Sequence, residues 1–188
     1  MSTGFKSYGS SDENELVQAS LEGVKEAFGE IVNRYQGMVA RTVKGMLGDS
    51  VFAEDIGQEV FIKLYHSLPE FRGEAKLSTY IQKIAVNLTL NEIKRRKRFL
   101  TMFSQTGNYE MQGYDIADYD DEERKDARDL VGKALMKMEP KFRIILTMRM
   151  LQGYSTKETA EILELPMGTV LSRLSRAQDQ LRNVLKKL

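Results

Sequence analysis

The stretch 154–187, YSTKETAEILELPMGTVLSRLSRAQDQLRNVLKK, decides how the C-terminal part of the chain folds. Ser155 is followed three residues later by Glu158, which is a capping box and predicts a helix over 156–163. Pro166 has no N–H to donate and disfavours helix at Leu165, so the helix is predicted to end before these two residues. The stretch therefore starts as a short helix followed by a tight turn.

A second helix is predicted to start after the turn, with Thr169 as its N-cap. Its apolar residues share one stripe at helical spacing: Val170, Leu174, Ala177, Leu181, Val184 and Leu185. Ala160 in the first helix is small and suits a close crossing over Val170. The pattern predicts a helix-turn-helix at 155–182, whose second helix can lie in a DNA major groove.

The face opposite this stripe is polar but carries few cations. Its residues are Thr169, Ser172, Arg176, Asp179 and Asn183, with Arg173 beside them. Such a face can read bases, but a plain helical hairpin without DNA-binding activity fits the same pattern. The rest of the chain has to decide between a DNA-binding helix-turn-helix and a plain helical hairpin.

Composition limits the possible functions of the 188-residue chain. Lysine and arginine total 28 against 27 aspartates and glutamates, so any attraction to nucleic acid must be local. The absence of cysteine excludes disulfides, a thiolate nucleophile and a cysteine-based zinc site. The polar N-terminus is unlike a signal peptide, and no apolar run approaches the roughly 18 residues of a membrane span. We expect a cytoplasmic, all-helical protein of two small domains joined by a flexible linker.

The N-terminal half is predicted to be helical. The expected segments are a disordered lead-in at 1–11, a short helix capped by Asp12 and ended by Gly23, a long helix over 25–47 with Gly48 as C-cap, and a helix over 51–68 stopped by Pro69. In the third helix Tyr65 is expected to be buried. Gly57 in its middle costs about 1 kcal/mol relative to alanine, which indicates close packing or an external contact.

The helix predicted over 77–98 has two distinct faces. Leu77, Ile81, Ile84 and Leu88 form its apolar stripe. The other face carries Tyr80, Lys83, Asn87, Asn91, Lys94 and Arg98, and the helix ends in the basic run 94–98. Amides can pair with base edges, cations bind phosphates, and an aromatic ring can stack on an unpaired base. This ordered combination favours nucleic-acid binding.

Residues 99–126 lose the helical periodicity and are rich in carboxylates, which predicts a flexible acidic linker. The predicted domains are therefore 12–98 and 127–188. In the second domain, one helix is expected to bury Leu130. A helix that opens at Pro140 is expected to bury Leu151 or a neighbouring methionine.

No arrangement of residues typical of catalysis is present, and we do not expect an enzyme. The single histidine, His66, lies near a predicted helix end. There is no Gly-rich phosphate loop, and the carboxylates lack the spacing of an EF-hand or a two-metal site. We expect neither a cofactor nor a metal.

Three motifs, in order, resemble those of bacterial extracytoplasmic-function (ECF) sigma factors, and the resemblance covers about 16–188. The segment AEDIGQEVFIKLYHSLPEFRGEA (53–75) resembles conserved region two, TYIQKIAVNLTLNEIKRRKR (79–98) is similar to the promoter-melting helix, and LPMGTVLSRLSRAQDQLR (165–182) resembles region four. The resemblance implies a subunit that binds core RNA polymerase and directs promoter-specific initiation. Such a subunit reads the minus-thirty-five duplex and melts and captures the minus-ten strand.

The resemblance also implies roles for three surfaces. Expected on the clamp helices of the polymerase's largest subunit are Glu54, Asp55, Gln58, Glu59 and Lys63. Expected at the minus-ten element, where the loop and the following helix capture a flipped base, are Gly73, Glu74, Ala75, Lys76, Ser78, Tyr80, Lys83, Asn87, Asn91, Lys94, Arg95 and Arg98. Expected at the minus-thirty-five duplex are Ser155, Thr169, Ser172, Arg173 and Arg176. Asn87 falls where the family often carries a base-reading asparagine.

Further partners implied by the resemblance are the flap of the second-largest subunit, promoter DNA and an anti-sigma protein. The chain departs from the family's pattern at four positions. Many members carry a basic residue in place of Leu171, and a basic, aromatic or histidine residue in place of Ser175. A tryptophan is common in place of Tyr80, and the turn glycine is replaced by Glu164.

Two other functions stay open. One is a helix-turn-helix regulator that binds an operator without polymerase, and the other is an adaptor that binds polymerase or an anti-sigma protein and barely touches DNA. The clamp-type face at Asp55, Gln58 and Glu59 argues against the first. The basic face through Asn87 and Lys94 argues against the second.

Overall fold

A computed structural model describes residues 8–48, 50–103 and 122–188, and all regular secondary structure in these ranges is helical. The helices are α1 (Glu13–Leu21), α2 (Lys25–Leu47), α3 (Val51–Ser67), α4 (Leu77–Phe103), α5 (Glu122–Met136), α6 (Pro140–Leu146), α7 (Thr156–Leu163) and α8 (Met167–Leu185). A 3₁₀ turn at Leu68–Glu70 follows α3, and a π-helical turn at Thr147–Leu151 follows α6. The all-helical prediction is confirmed.

The predicted apolar stripes of α2, α3 and α4 form the core of the first domain. Its buried side chains include Ile31, Val43, Leu64, Leu77 and Ile81. The predicted ends of α1 and α2 are also confirmed. The Asp12 carboxylate accepts the N–H of Glu15 at 2.8 Å and caps α1. Gly48 ends α2 with φ +71°, a conformation that residues with a side chain rarely adopt.

Some predicted boundaries are wrong. Helix α3 ends at Ser67, because the chain tightens into the 3₁₀ turn that contains Pro69. Helix α4 continues past Arg98 to Phe103, since no glycine or proline follows to break it there. Helix α5 already begins at Glu122. The rest of the predicted linker, 104–121, and the start of the predicted lead-in, 1–7, lie outside the described residues.

Two side chains that were expected in the core are exposed: Tyr65 and Leu130. The Tyr65 ring instead packs edge-on against Phe28, with 5.0 Å between centroids. The expectation that Leu151 or a neighbouring methionine is buried is met by the methionine, Met148. Met148 is buried and Leu151 is not, because the π-helical turn adds a residue to the helical repeat and rotates the residues that follow it.

The predicted helix-turn-helix is present as α7 and α8. The Ser155 hydroxyl accepts the N–H of Glu158 at 3.2 Å, and the Glu158 carboxylate accepts the N–H of Ser155 at 2.8 Å. The prediction that Thr169 caps α8 is wrong. Pro166 is the N-cap and α8 starts at Met167, so Thr169 lies in the first turn; the fixed φ of proline favours this early start.

Glu164 ends α7 in the left-handed conformation, with φ +53° and ψ +44°. Among the described residues it is the only non-glycine residue with positive φ. A residue with a side chain pays about 1–2 kcal/mol for this conformation, which explains why a glycine is favoured at such a turn.

The two domains pack against each other. Helices α2 and α4 of the first domain contact the π-helical turn, α6 and α7 of the second. Met46 and Val86 are buried in one cluster with Ile145 and Met148 from the other side of this boundary. The apolar core is therefore continuous between the domains.

Arg143 fastens this boundary with a buried guanidinium. It donates to the carbonyl oxygen of Met46 in the last turn of α2, and at 2.9 Å each to those of Met136 and Met138 at the end of α5. Burial lowers the pKa of the Arg143 guanidinium to about 10, so it stays protonated at neutral pH. One cation thus satisfies carbonyls that two helix ends leave without intrahelical partners.

A buried polar cluster also spans the boundary between the domains. The side-chain amides of Gln82 and Gln152 both donate to the Thr42 hydroxyl oxygen, at 2.5 and 2.8 Å. Gln82 comes from α4, Thr42 from α2 and Gln152 from the second domain. Because buried polar groups need partners, this cluster holds the domains in one relative position.

Gly45 allows α2 to approach the π-helical turn closely. A Cβ atom at Gly45 would lie 2.7 Å from Cγ2 and 3.1 Å from Oγ1 of Thr147, whose side chain is fully buried. Any larger residue at this position has to push the second domain away.

We predict that Gly45→Ala loosens the domain boundary by about 1–3 kcal/mol through this clash, even though alanine favours the helix. Amide hydrogen exchange should rise in α2 and in the π-helical turn. Adding Thr147→Ser removes the clashing methyl group and should restore protection. Gly37→Ala, in the same helix but with only a flexible arginine nearby, is the matched control. Unchanged exchange in Gly45→Ala would contradict the prediction.

Candidate nucleic-acid interface

Helix α4 presents the predicted polar face to solvent. Asn87, Asn91, Lys94 and Arg98 are exposed, while Ile81 and Ala85 on the other side are fully buried in the first core. At 1.5 Å per residue, the face from Asn87 to Arg98 is about 16 Å long. It can therefore follow several nucleotides of a strand.

Tyr80 was predicted on the same face. It lies in the first turn of α4 and is half-buried. Its ring packs against Phe71 with 5.2 Å between centroids, and its hydroxyl donates to the Ser67 carbonyl oxygen at 3.2 Å. The hydroxyl thus has a partner inside the chain. The ring therefore ties the start of α4 to the segment that precedes it.

The predicted loop at 73–78 leads into this face, although its last two residues already belong to α4. Gly73 has φ +71°, which permits the sharp turn after α3. Glu74 and Lys76 are exposed, and Ala75 and Ser78 are half-buried. The Lys76 carbonyl oxygen accepts the N–H groups of Thr79 and Tyr80 and so starts α4. The predicted loop residues therefore lie beside the predicted helix face.

Sequence reasoning missed the role of Glu92 in the basic run. Its carboxylate, 6% exposed, accepts hydrogen bonds from Nε of Arg95 and Nε of Arg96, both at 2.7 Å. These hydrogen bonds hold the pKa of Glu92 below its ordinary value, and the bond from Arg95 contributes most. Arg96 also lies over the Phe52 ring, 4.0 Å from its centroid, and so joins α4 to α3.

Glu92 therefore divides the run into two kinds of cation. Arg95 and Arg96 are held by the carboxylate, although Arg95 remains 70% exposed. Lys94 and Arg98 are exposed, and the ion pairs of Glu92 are with Arg95 and Arg96 instead. The signal in the sequence was an acidic residue one turn before two arginines, at i+3 and i+4.

Helix α8 exposes Ser172 and Arg176, and Thr169 and Arg173 beside them are half-buried. The Ser172 hydroxyl donates to the Thr169 carbonyl oxygen at 3.1 Å. Ser155 is exposed at the start of α7, where it belongs to the capping box. All five predicted minus-thirty-five residues thus belong to the helix-turn-helix surface.

The helix-turn-helix contacts the face of α4 that was predicted to bind the minus-ten element. Helix α7 packs against α4, and Nζ of Lys83 lies 3.4 Å from the carboxylate of Glu164. The pKa of Glu158 is lowered, mainly by its hydrogen bonds with Ser155 and also by the charge of Lys76. Carboxylates of α7 and its turn therefore face two cations that were predicted to meet DNA.

Helix α3 presents a third surface. All five predicted clamp residues are exposed: Glu54, Asp55, Gln58, Glu59 and Lys63. The opposite side buries Ala53, Ile56, Val60 and Leu64. A Cβ atom at Gly57 would meet nothing within 4 Å, so close packing inside the chain does not explain this glycine. The other explanation given for Gly57 in the sequence analysis was a contact with an external partner.

The described ranges hold neither a metal-site cluster nor a membrane-spanning helix. No group of three or more carboxylate or imidazole residues is placed to hold a metal ion. None of the helices there has both the length and the apolar character of a membrane span.

Comparison with known families defines the class of the protein. The Sigma-70 region 2 family matches residues 31–99, and the Sigma-70, region 4 family matches residues 128–181. The chain is therefore a protein of the sigma-70 type. Region 2 contains α3 and most of α4, and region 4 contains the helix-turn-helix.

Individual relatives narrow the class. The ECF RNA polymerase sigma factor SigW of Bacillus subtilis is 30% identical over 174 residues, which is 89% of this chain and 93% of the relative. The ECF RNA polymerase sigma-E factor of Haemophilus influenzae is 33% identical over 184 residues, 92% of this chain and 95% of the relative. This chain belongs to the ECF sigma factor family, and its function is promoter-specific transcription initiation. The family is not one of catalytic enzymes.

Solved structures share the fold over most of the chain. The structure of CnrH in complex with the cytosolic domain of CnrY matches with a TM-score of 0.67 at 20% identity. The match covers 93% of this chain and 97% of the CnrH chain. The structure of the sigma factor RpoE from Bartonella quintana in complex with the anti-sigma factor NepR matches with a TM-score of 0.69 at 22% identity. The match covers 85% of this chain and 96% of the RpoE chain. The all-helical, two-domain architecture is therefore the family's own.

We predict that Glu92→Gln lowers the free energy of unfolding by about 1 kcal/mol at pH 7, because the arginines lose a buried anionic acceptor. Since folding lowers the pKa of Glu92, its contribution is present above the ordinary value of about 4.3 and is lost as pH falls through the lower folded value. Urea unfolding at pH 7 and at about pH 3.5 measures this. Glu26→Gln, exposed on α2, is the control, and an equal deficit at both pH values would contradict the prediction.

Proposed function

We propose that this sigma factor divides its work among three surfaces. The α3 face docks on the clamp helices of the polymerase's largest subunit, the α4 face and the loop 73–78 open and capture the minus-ten strand, and α8 reads the minus-thirty-five duplex. The observation that carries the proposal is the exposed row Asn87, Asn91, Lys94 and Arg98 on a helix whose opposite side is buried.

This row suits the capture of a melted strand. Extracting a base costs a few kcal/mol of stacking and pairing. Asn87 offers an amide that can pair with a base edge, and Lys94 and Arg98 offer cations for the phosphates beside it. The loop next to Tyr80 provides a wall for a flipped base. Together these contacts can offset the opening cost without nucleotide hydrolysis.

The α3 face suits a protein partner rather than DNA. It carries three carboxylates, Glu54, Asp55 and Glu59, which repel phosphate, with Gln58 among them. Gly57 has no side chain at the centre of this face, so a helix of the partner can approach the α3 backbone closely. In the second domain, the exposed side chains of Met150 and Leu151 provide an apolar contact for the flap of the second-largest subunit.

The closed arrangement of the domains is the form that must open on promoter DNA. The Glu164 carboxylate competes with a phosphate for Lys83 and would repel that phosphate, and α7 packs against α4. An anti-sigma protein that binds across both domains would hold them closed. Support comes from two fold relatives: RpoE was solved in complex with the anti-sigma factor NepR, and CnrH in complex with the cytosolic domain of CnrY.

The protein is proposed to act in the cytoplasm, beside polymerase, and to have no catalytic activity of its own. Of the two rivals, a stand-alone regulator does not account for the acidic α3 face. An adaptor with little DNA contact does not account for the row from Asn87 to Arg98. Runoff transcription with core polymerase and a promoter library separates all three. The absence of any promoter-dependent transcript would exclude the sigma-factor function.

We predict that Asp55→Ala with Gln58→Ala weakens binding to core polymerase by about 1 kcal/mol or more, because central interface residues dominate affinity. Binding of the same variant to duplex minus-thirty-five DNA should not change. Glu26→Ala with Gln36→Ala, which are exposed on α2, is the matched control. Titration of labelled variants with core polymerase measures the effect. A parallel loss of DNA binding would show that the roles are wrongly divided.

We predict that Asn87→Ala relaxes base preference at one minus-ten position, by about 1–3 kcal/mol of discrimination. Transcription from a library randomised over the minus-ten element measures it. Asn33→Ala, exposed on α2, should leave the profile unchanged. If the Asn87→Ala profile equals that of the wild type, this residue does not read a base.

A further inference from the structure

Two large apolar side chains project into solvent from the first turns of α8. Met167 and Leu171 are each 55% exposed. They are four residues apart and therefore lie on the same side of the helix. Neither belongs to the buried clusters that α8 forms through Val170 and Ala177.

Their position distinguishes them from ordinary exposed apolar residues. Leu171 follows the buried Val170 by one residue and so lies about 100° around the helix from the buried side. Thr169, Arg173 and Arg176 lie on the other flank. The N-terminal end of α8 is thus apolar on one side and polar on the other.

The chemistry of the major groove gives this apolar side one partner. The N-terminal residues of a recognition helix contact base edges, and the apolar group on those edges is the C5-methyl of thymine. Leucine has no donor or acceptor, so it cannot hydrogen-bond to guanine, adenine or cytosine edges, which also lack a methyl group. Ser175, one turn further on, is exposed and small and leaves the side chain of Leu171 unobstructed.

We propose that Leu171, with Met167 beside it, selects a thymine in the minus-thirty-five element by packing on its methyl group. The inference rests on the proposed role of α8 as the minus-thirty-five reader. Thr169, Arg173 and Arg176 on the other flank position the helix on bases and phosphates. Leu171 is then a specificity-determining residue.

Single-methyl substitution in the DNA tests this. Holoenzyme is formed from core polymerase and the full chain, and its preferred promoter is selected from a library. Each thymine of the minus-thirty-five element is then replaced in turn by deoxyuridine, which lacks only the methyl group. For wild-type chain, one or two positions should lose about fourfold in promoter affinity, the effect of burying one methyl group.

Leu171→Ala should lower affinity for the thymine promoter and abolish the difference between thymine and deoxyuridine at those positions. Met167→Ala should reduce this difference less. Leu21→Ala, an exposed leucine on α1, is the matched control and should keep the full difference. Leu171→Ala and Leu21→Ala should both transcribe from the promoter, so a folding defect is detected separately.

Three results would overturn the proposal. They are a minus-thirty-five element without thymine, no effect of deoxyuridine at any position, and an undiminished difference in Leu171→Ala. In each case promoter-dependent transcription still supports the sigma-factor function. Failure to transcribe from any promoter removes the proposed function, and this inference with it.

Discussion

The buried guanidinium of Arg143 determines how the two halves of this molecule fit together. It joins the end of α2 in the first domain to the end of α5 in the second, through three carbonyl oxygens. A buried cation is costly unless hydrogen bonds compensate it, and carbonyls at helix C-termini are suited to do so. The apolar boundary, the Thr42 cluster and the Gly45 contact all lie within the arrangement that this residue fixes.

Helix α4 connects that boundary to function. One side is buried in the first core, a second side, with Gln82 and Val86, packs on the other domain, and a third side carries Asn87 and Lys94 to solvent. Docking of the second domain and access of DNA therefore concern adjacent sides of the same helix. Lys83, at the border between them, is engaged by Glu164 when the domains are closed.

Periodic features were predictable from the sequence. The stripes of α2, α3 and α4, the capping box at Ser155 and the helix-turn-helix all follow from local spacing and local hydrogen bonding. The long exposed row on α4 was also predictable, because a 3.6-residue repeat places its members on one side. Contacts between distant segments were not. Arg143 lies in an apolar run, FRIIL, where a charged residue should have indicated a buried partner, but nothing local identifies the carbonyl of Met46.

The errors share a physical cause, which is that local rules compete. Thr169 is a good capping residue, yet Pro166 starts the helix earlier. The run at 94–98 looks like five equivalent cations, yet a buried carboxylate holds two of them. In each case the deciding residue stood nearby in the sequence, but the strength of its effect depended on tertiary packing.

The pairing of cations with carboxylates has a consequence for the protein before it reaches polymerase. A chromosome presents a vast excess of sequence-independent phosphate sites, which trap proteins with unpaired basic surfaces. In the closed form, Lys83 faces Glu164, Arg95 and Arg96 face Glu92, and the whole chain has a net charge of only +1. We therefore expect the closed form to attract bulk DNA less strongly than it would if these cations had no carboxylate partners.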